Sequence, residues 1–234
     1  MNVLVEEQSL QDIANAIREK NGSADTYKPS EMGNAVRAIE SGGEDLLRYA
    51  SIIQFNDEIK MPSKVVLNLD NVTNLNTLCG NTSVEELTIN LKKECVSMDR
   101  MIYPSKANAL KKITLNFSTS LVTSMRQAFC WIRTEGAEII GELDFSSATN
   151  VSGIFDYSTE LTELRVKQGT LKYSLNAHSC QKLSDESIDS LVNGFADMTG
   201  QTAIVLTVHK DVKARIEANQ TWLSTLTSKN VTLA

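Results

Sequence analysis

An internal repeat constrains this chain more than any other feature. The segment Leu67-Asn-Leu69-Asp-Asn-Val72-Thr-Asn-Leu75-Asn-Thr-Leu78 aligns without gaps on Leu143-Asp-Phe145-Ser-Ser-Ala148-Thr-Asn-Val151-Ser-Gly-Ile154. Apolar residues coincide at every anchor, and Thr-Asn recurs at 73–74 and 149–150. Two further copies lie between them. One runs Leu87-Thr-Ile89-Asn-Leu91 and on through Cys95, Met98 and Met101. The other runs Ile113-Thr-Leu115-Asn-Phe117 and on through Val122, Met125 and Ala128. Anchors at 72, 95, 122 and 148 give steps of 23, 27 and 26 residues. A fifth, degenerate strand is predicted at Leu164-Arg-Val166.

The physical reading is a solenoid. Strict alternation puts every second side chain of a short strand inward. Apolar residues at every third position then wind the chain so that one side keeps facing the core. Each coil can bury that side only against its neighbours, so the coils stack. A period of about 20 to 29 residues with this pattern is that of leucine-rich repeats. The fold class expected is α/β (α+β): a short, irregular leucine-rich-repeat array over 64–179, with insertions at 92–94 and 118–120. Residues 180–234 break the period and read as a C-terminal α/β cap. There Ser184 caps a helix carrying Asp185 and Glu186 in its first turn, with Ile188, Leu191, Val192 and Phe195 as its buried stripe. A strand at 203–208, one helical stretch from Val212 to Leu226, and a last strand at Val231–Leu233 follow.

Residues 1–43 form a separate helical hairpin. Ser9 precedes the stripe Leu10, Ile13, Ala14 and Ile17, and Asn21-Gly22 ends it. A second stripe, Met32, Ala35, Val36 and Ile39, follows Pro29-Ser30 and closes at Ser41-Gly42-Gly43. Two helices this short are marginal alone. Leu10, Ile13, Ile17, Met32, Val36 and Ile39 are therefore candidates for docking to a partner or to another copy. Residues 44–63 read as a connector and N-terminal cap.

Composition excludes several classes. The chain has 234 residues, 41% hydrophobic, with a formal charge of −6, which gives no basic surface for nucleic acid. No apolar run is long enough for a transmembrane helix, and the N-terminus lacks a signal-peptide pattern. Intracellular synthesis is the expectation. Cys79, Cys95, Cys130 and Cys180 show no metal-ligand spacing and read as packed thiols. His178 and Cys180 form an H-x-C pair without a second pair to complete a metal site. No nucleophile, phosphate-binding or dinucleotide motif occurs. Neither a catalytic activity nor a cofactor is expected. Asp70, Glu142 and Asp144 are the acids to weigh for glycan hydrolysis, although acids at strand edges are ordinarily solvating.

The residues between the strand leucines are predicted to point outward. They include Asn68, Asp70, Thr88, Asn90, Thr114, Asn116, Asp144, Arg165 and Lys167. Stacking would align them as columns of amides and hydroxyls, a candidate binding face.

The chain resembles tail-associated proteins of phages and prophages of Gram-positive bacteria. IANAIREKNG, Tyr27-Lys-Pro-Ser-Glu-Met and Val36-Arg-Ala-Ile39 carry that likeness, with LLRYASIIQF at 46–55. The repeats are similar to BspA-like leucine-rich repeats, and LSDESIDSLVNGFADMTGQTAIVLTV at 183–208 to the region closing such arrays. The resemblance implies a non-enzymatic virion component, a tail or baseplate protein attached by its hairpin. Its partners would be other tail proteins and a host-surface glycan or protein. Neither nucleic acid nor membrane insertion is implied, and a homo-oligomer is compatible. The alternative is an intracellular, phage-encoded interaction module, such as a modulator of host defence.

Overall fold

The computed structural model describes residues 11, 14, 15, 17, 18, 28, 61–80, 83–102 and 109–234. The chain divides into two compact units, Met1–Leu46 and Leu47–Ala234. In the first, the described residues Gln11, Ala14, Asn15, Ile17 and Arg18 are helical, and Ala14 and Ile17 are buried. The other hairpin candidates, Leu10, Ile13, Met32, Val36 and Ile39, lie outside the described residues.

Among its described residues, the second unit is α/β with two parallel sheets and three helices. Its larger sheet has five strands: β1 (Lys64–Leu69), β2 (Glu86–Leu91), β3 (Lys112–Asn116), β4 (Ala137–Leu143) and β5 (Leu161–Val166). Their spatial order follows the chain, β1-β2-β3-β4-β5, and every pairing is parallel. Parallel neighbours require a crossover, ordinarily a helix. Here the crossovers pair with one another instead. Asn74, Ser97, Ser124 and Asn150 bridge in sequence, as do Cys79, Ile102 and Phe129. Leu75, Thr77 and Cys79 donate backbone N–H groups to Ser97, Asp99 and Met101 at 2.8, 3.1 and 2.9 Å. Met98, Arg100 and Ile102 donate equivalently to Ser124, Arg126 and Ala128. Met125, Gln127 and Phe129 do so to Asn150, Ser152 and Ile154. Backbone groups that a helix would satisfy internally are thus satisfied by the next repeat.

One corner of each crossover is left-handed. Thr77, Arg100, Gln127 and Gly153 have φ of 52°, 53°, 51° and 61°. The inward residues close a continuous core. Leu67, Ile89, Met98, Val122, Met125 and Phe145 are all buried, and Phe129 and Phe155 stack with centroids 6.1 Å apart. Burying each such side chain contributes about 1.5–3 kcal/mol. The four cysteines are buried, and none is in a disulfide.

The smaller sheet, in the order given, comprises β6 (Leu175–Ala177), β7 (Ile204–Val208) and β8 (Val231–Leu233). Between them lie α1 (Asp185–Gly194), α2 (Lys210–Ala218) and α3 (Gln220–Ser228). Ser184 caps α1 by accepting from the Ser187 N–H. Where one helical stretch is expected from the sequence, two form. Asn219 ends α2, and its side chain accepts from the Thr221 and Trp222 N–H groups to start α3.

Helix α1 closes the free edge of β5. The backbone N–H groups of Leu164 and Val166 donate to Ser187 Oγ and Ser190 Oγ at 3.0 and 2.8 Å. Those hydroxyls donate back to the Thr162 and Val166 carbonyls. Helix and strand lie so close that a Cβ on Gly194 would stand 2.3 Å from Val166 Cγ1.

A bulge in β4 centres on Gly141, whose φ is +113°, and a Cβ there would lie 2.7 Å from the Leu115 carbonyl oxygen. Gly169 also has positive φ, +71°, but open space around it. Gly141→Ala should therefore cost about 3 kcal/mol and Gly169→Ala about 1 kcal/mol. Urea unfolding of the two variants beside the parent checks the difference, and equal costs would contradict the close approach at Gly141.

Candidate functional site

The strand register sorts the outward residues into columns. Lys64 pairs with Glu86 at 2.7 Å, and Lys112 with Glu138 at 3.4 Å, along one column. Thr88 and Thr114 stand side by side in the next, half-buried between Val66 and Ile140, which are 52% and 38% exposed. The third column is an amide ladder. Asn90 Nδ2 donates to Asn68 Oδ1 at 2.9 Å, and Asn116 Nδ2 donates to Asn90 Oδ1 at 2.8 Å. Asn68, Asn90 and Asn116 thus meet as the sequence suggests, but they spend their facing donors and acceptors on one another. Beyond the strand ends, Lys92 pairs with Asp70 at 2.8 Å.

Asp144 is a correction. It does not stand on the outward face of a strand. β4 ends at Leu143, and Asp144 is buried in the following turn at 4% exposure. Its Oδ1 accepts from the Ser146 N–H and Oγ at 2.9 and 2.5 Å, and its Oδ2 accepts from Lys167 Nζ at 2.9 Å. The gapless alignment placed Asp144 between two strand residues, like Asn68. The paired register instead brings Leu143 to the strand-end position held by Leu69, because the chain from strand to bridge is longer in the later repeats. Burial pushes this carboxyl upward, but the Ser146 and Lys167 hydrogen bonds outweigh it and hold it below the usual carboxylate range. A glycosidase general acid needs the opposite shift. Lys167 is exposed, and its ammonium is held above its ordinary value by the hydrogen bond it donates to Asp144.

The face opens at its β4–β5 end. Glu142 and Arg165 are register partners there, both exposed, where the asparagine ladder has stopped. Together with Gln168, Asp185, Asp189 and Trp222 they line a cleft of about 960 Å³. Two of its walls are fixed from within. Trp222 Nε1 donates to Asp189 Oδ1 at 2.9 Å, and Arg215 binds Asp185 while donating to the Leu183 carbonyl at 2.6 Å. Carboxylates outnumber cations in this lining.

Elsewhere the chemistry is quiet. Burial pushes the Cys95 thiol up to about 11 and the Cys130 and Cys180 thiols up to about 12, which keeps them protonated. His178 faces His209 with ring centroids 6.0 Å apart. Among the described residues, no group of three His, Cys, Asp or Glu side chains could hold a metal ion. Nor, among them, is any helix long and apolar enough to cross a membrane.

One surface feature escaped the sequence reading. Trp131 and Tyr157 stack with centroids 4.5 Å apart, and the Arg133 guanidinium lies 4.4 Å from the indole centroid. A signal existed: positions 131 and 157 are separated by the same step as the bridging pair Ser124 and Asn150.

Comparison with protein-family models, curated proteins and solved structures finds no match.

The Asp144 pairing has a pH signature. A carboxyl held low by folding stabilises the protein above its unfolded value, about 3.9, and that stability is lost as pH falls through the folded value. Asp144→Asn should cost about 2 kcal/mol at neutral pH, and the loss should shrink below about pH 4. Denaturant unfolding of parent and variant across pH 2 to 7 (about one point per unit) measures it. A pH-independent difference would contradict the assignment.

Proposed function

We propose that this chain is a non-enzymatic recognition protein, a short leucine-rich-repeat solenoid displayed on a phage tail or baseplate. The N-terminal hairpin docks it to the particle. The solenoid reading draws support from the strand order, the paired crossovers and the recurrent left-handed corner, all advancing by one repeat at a time. Such arrays bind through extended faces and scaffold their ends with caps.

One observation carries the recognition role: the outward face of the sheet runs into the cleft bearing Glu142 and Arg165. The amide ladder and ion pairs of the earlier strands are largely satisfied internally. At Glu142 and Arg165 the polar groups are exposed and concave surface is present. Acidic walls around a single guanidinium suit a partner presenting cations or hydroxyls, on the host surface or on a neighbouring tail protein.

The test has two parts. Gold-labelled antibody on purified particles should mark one fixed point of the tail, and a chain lacking residues 1–43 should fail to incorporate. Charge reversal by Glu142→Lys with Arg165→Glu should then reduce adsorption to host cells about tenfold, while the melting temperature is kept. Protein abundant in the lysate but absent from particles would overturn the virion role in favour of an intracellular interaction module. Unchanged adsorption would remove the cleft.

A further inference from the structure

Trp131 and Tyr157 occupy equivalent places in consecutive repeats, and both have left-handed backbones, with φ of 64° and 59°. Positive φ is uncommon outside glycine and is an outlier for bulky side chains. The repeats turn their other left-handed corner with Thr77, Arg100, Gln127 and Gly153, so the fold does not demand large rings at such positions. Strain of this kind concentrates where a side chain must be presented. What is presented here is a stack: two rings face to face, inclined by 27°, with Tyr157 52% exposed.

Arg133 completes it. Its guanidinium carbon lies 4.4 and 5.9 Å from the indole and phenol centroids, and Nε donates to the Tyr157 carbonyl at 3.4 Å. The two terminal nitrogens donate to no described residue, and none of the described acids pairs with them. A guanidinium fork with no partner among the described residues, held against aromatic rings, is a seat for a carboxylate or phosphate. Beside the stack, Tyr157 donates its backbone N–H to Ser179 Oγ at 3.0 Å. The surroundings are therefore polar.

Size decides between partner classes. A stable protein interface covers about 800 Å² per partner around a packed apolar centre. A two-ring stack with a polar rim offers about one open aromatic face, the footprint of a single sugar residue. The electron-rich faces of indole and phenol attract the polarised C–H bonds on one side of a pyranose, as they attract cations. We propose that Trp131, Tyr157 and Arg133 form a binding site for an acidic saccharide, whose ring lies on the exposed face of the aromatic stack while its carboxylate or phosphate meets the Arg133 fork. The site shares no residue with the Glu142–Arg165 cleft, so it stands or falls separately from the reading above.

Fluorescence tests this in the full chain. The protein has two tryptophans, and Trp222 lines the Glu142–Arg165 cleft, so ligand quenching is assigned to Trp131 only where it persists without Trp222. A Trp222→Phe variant confirms the reporter. The probes are tetragalacturonate, its fully methyl-esterified form and a phosphorylated maltotetraose. One or both acidic probes should quench, which identifies the anion source, and the neutral ester should bind about tenfold more weakly. Arg133→Gln should erase that preference. Tyr157→Asn places a residue tolerant of positive φ at the corner. It should abolish quenching while the melting temperature holds or rises. Three outcomes overturn the proposal: no quenching by either acidic probe to about 10 mM, equal binding of the methyl ester, or binding retained in Tyr157→Asn. The first of these would leave the rings as a contact for protein.

Discussion

The parallel register of each strand on the next is the constraint from which the rest follows. Once Leu67 lies beside Ile89 and Asn68 beside Asn90, the pleat decides which side chains enter the core and which form surface columns. The crossovers then have little freedom. Their N–H groups must find partners, and with no helix among their described residues the partners are carbonyls one repeat away. A chain that bonds this way has to turn at the same phase in every repeat. The recurrence of positive φ at Thr77, Arg100, Gln127 and Gly153 is the backbone expression of that requirement, at residues with no chemistry in common.

That logic explains which parts of the molecule were legible in the sequence. The anchors at 72, 95, 122 and 148 step as the bridges Asn74, Ser97, Ser124 and Asn150 do, because the residues after the strand are held by both burial and bridging. Alternating apolar residues marked β1, β2, β3 and β5 for the same reason. What failed was the assumption that strand and crossover keep a fixed separation. Between Leu143 and Asn150 the chain is longer than between Leu69 and Asn74, so a gapless match was right about the bridge and wrong about Asp144. The division at Asn219 was hidden because apolar spacing runs through it while the break is made by one side-chain amide. Trp131 and Tyr157 fell outside every aligned anchor: they are periodic, but they are not core.

Satisfaction separates structure from candidate function on this surface. A stacked array places like residues beside like, so its polar columns tend to bond internally. Asn90 donates to one neighbour and accepts from another, and the lysines and glutamates of the adjoining column alternate in sign. Exposed pairs of that kind add little stability, but they leave fewer free groups for a ligand. Side chains with capacity to spare lie where the repetition is broken. Arg165 follows the β4 bulge, and Arg133 stands beside the two aromatic corners.

The break at β5 is itself imposed by the sheet. An open parallel edge displays unpaired N–H and C=O groups that invite another strand. Two serines of α1 answer this edge, since a hydroxyl donates and accepts where a strand would offer one of each. A helix carrying them must approach closely, which is why Gly194 has no room for a side chain against Val166. The same helix cannot continue the flat outward face, because its axis replaces the next row of the sheet with a raised wall. Asp185 and Asp189 on that wall, with Trp222 of α3 braced on Asp189, then turn the end of a flat surface into a cleft. Closing the edge and creating the concavity are thus one structural event, and the only additional requirement for a binding site is that Glu142 and Arg165 remain exposed beside it.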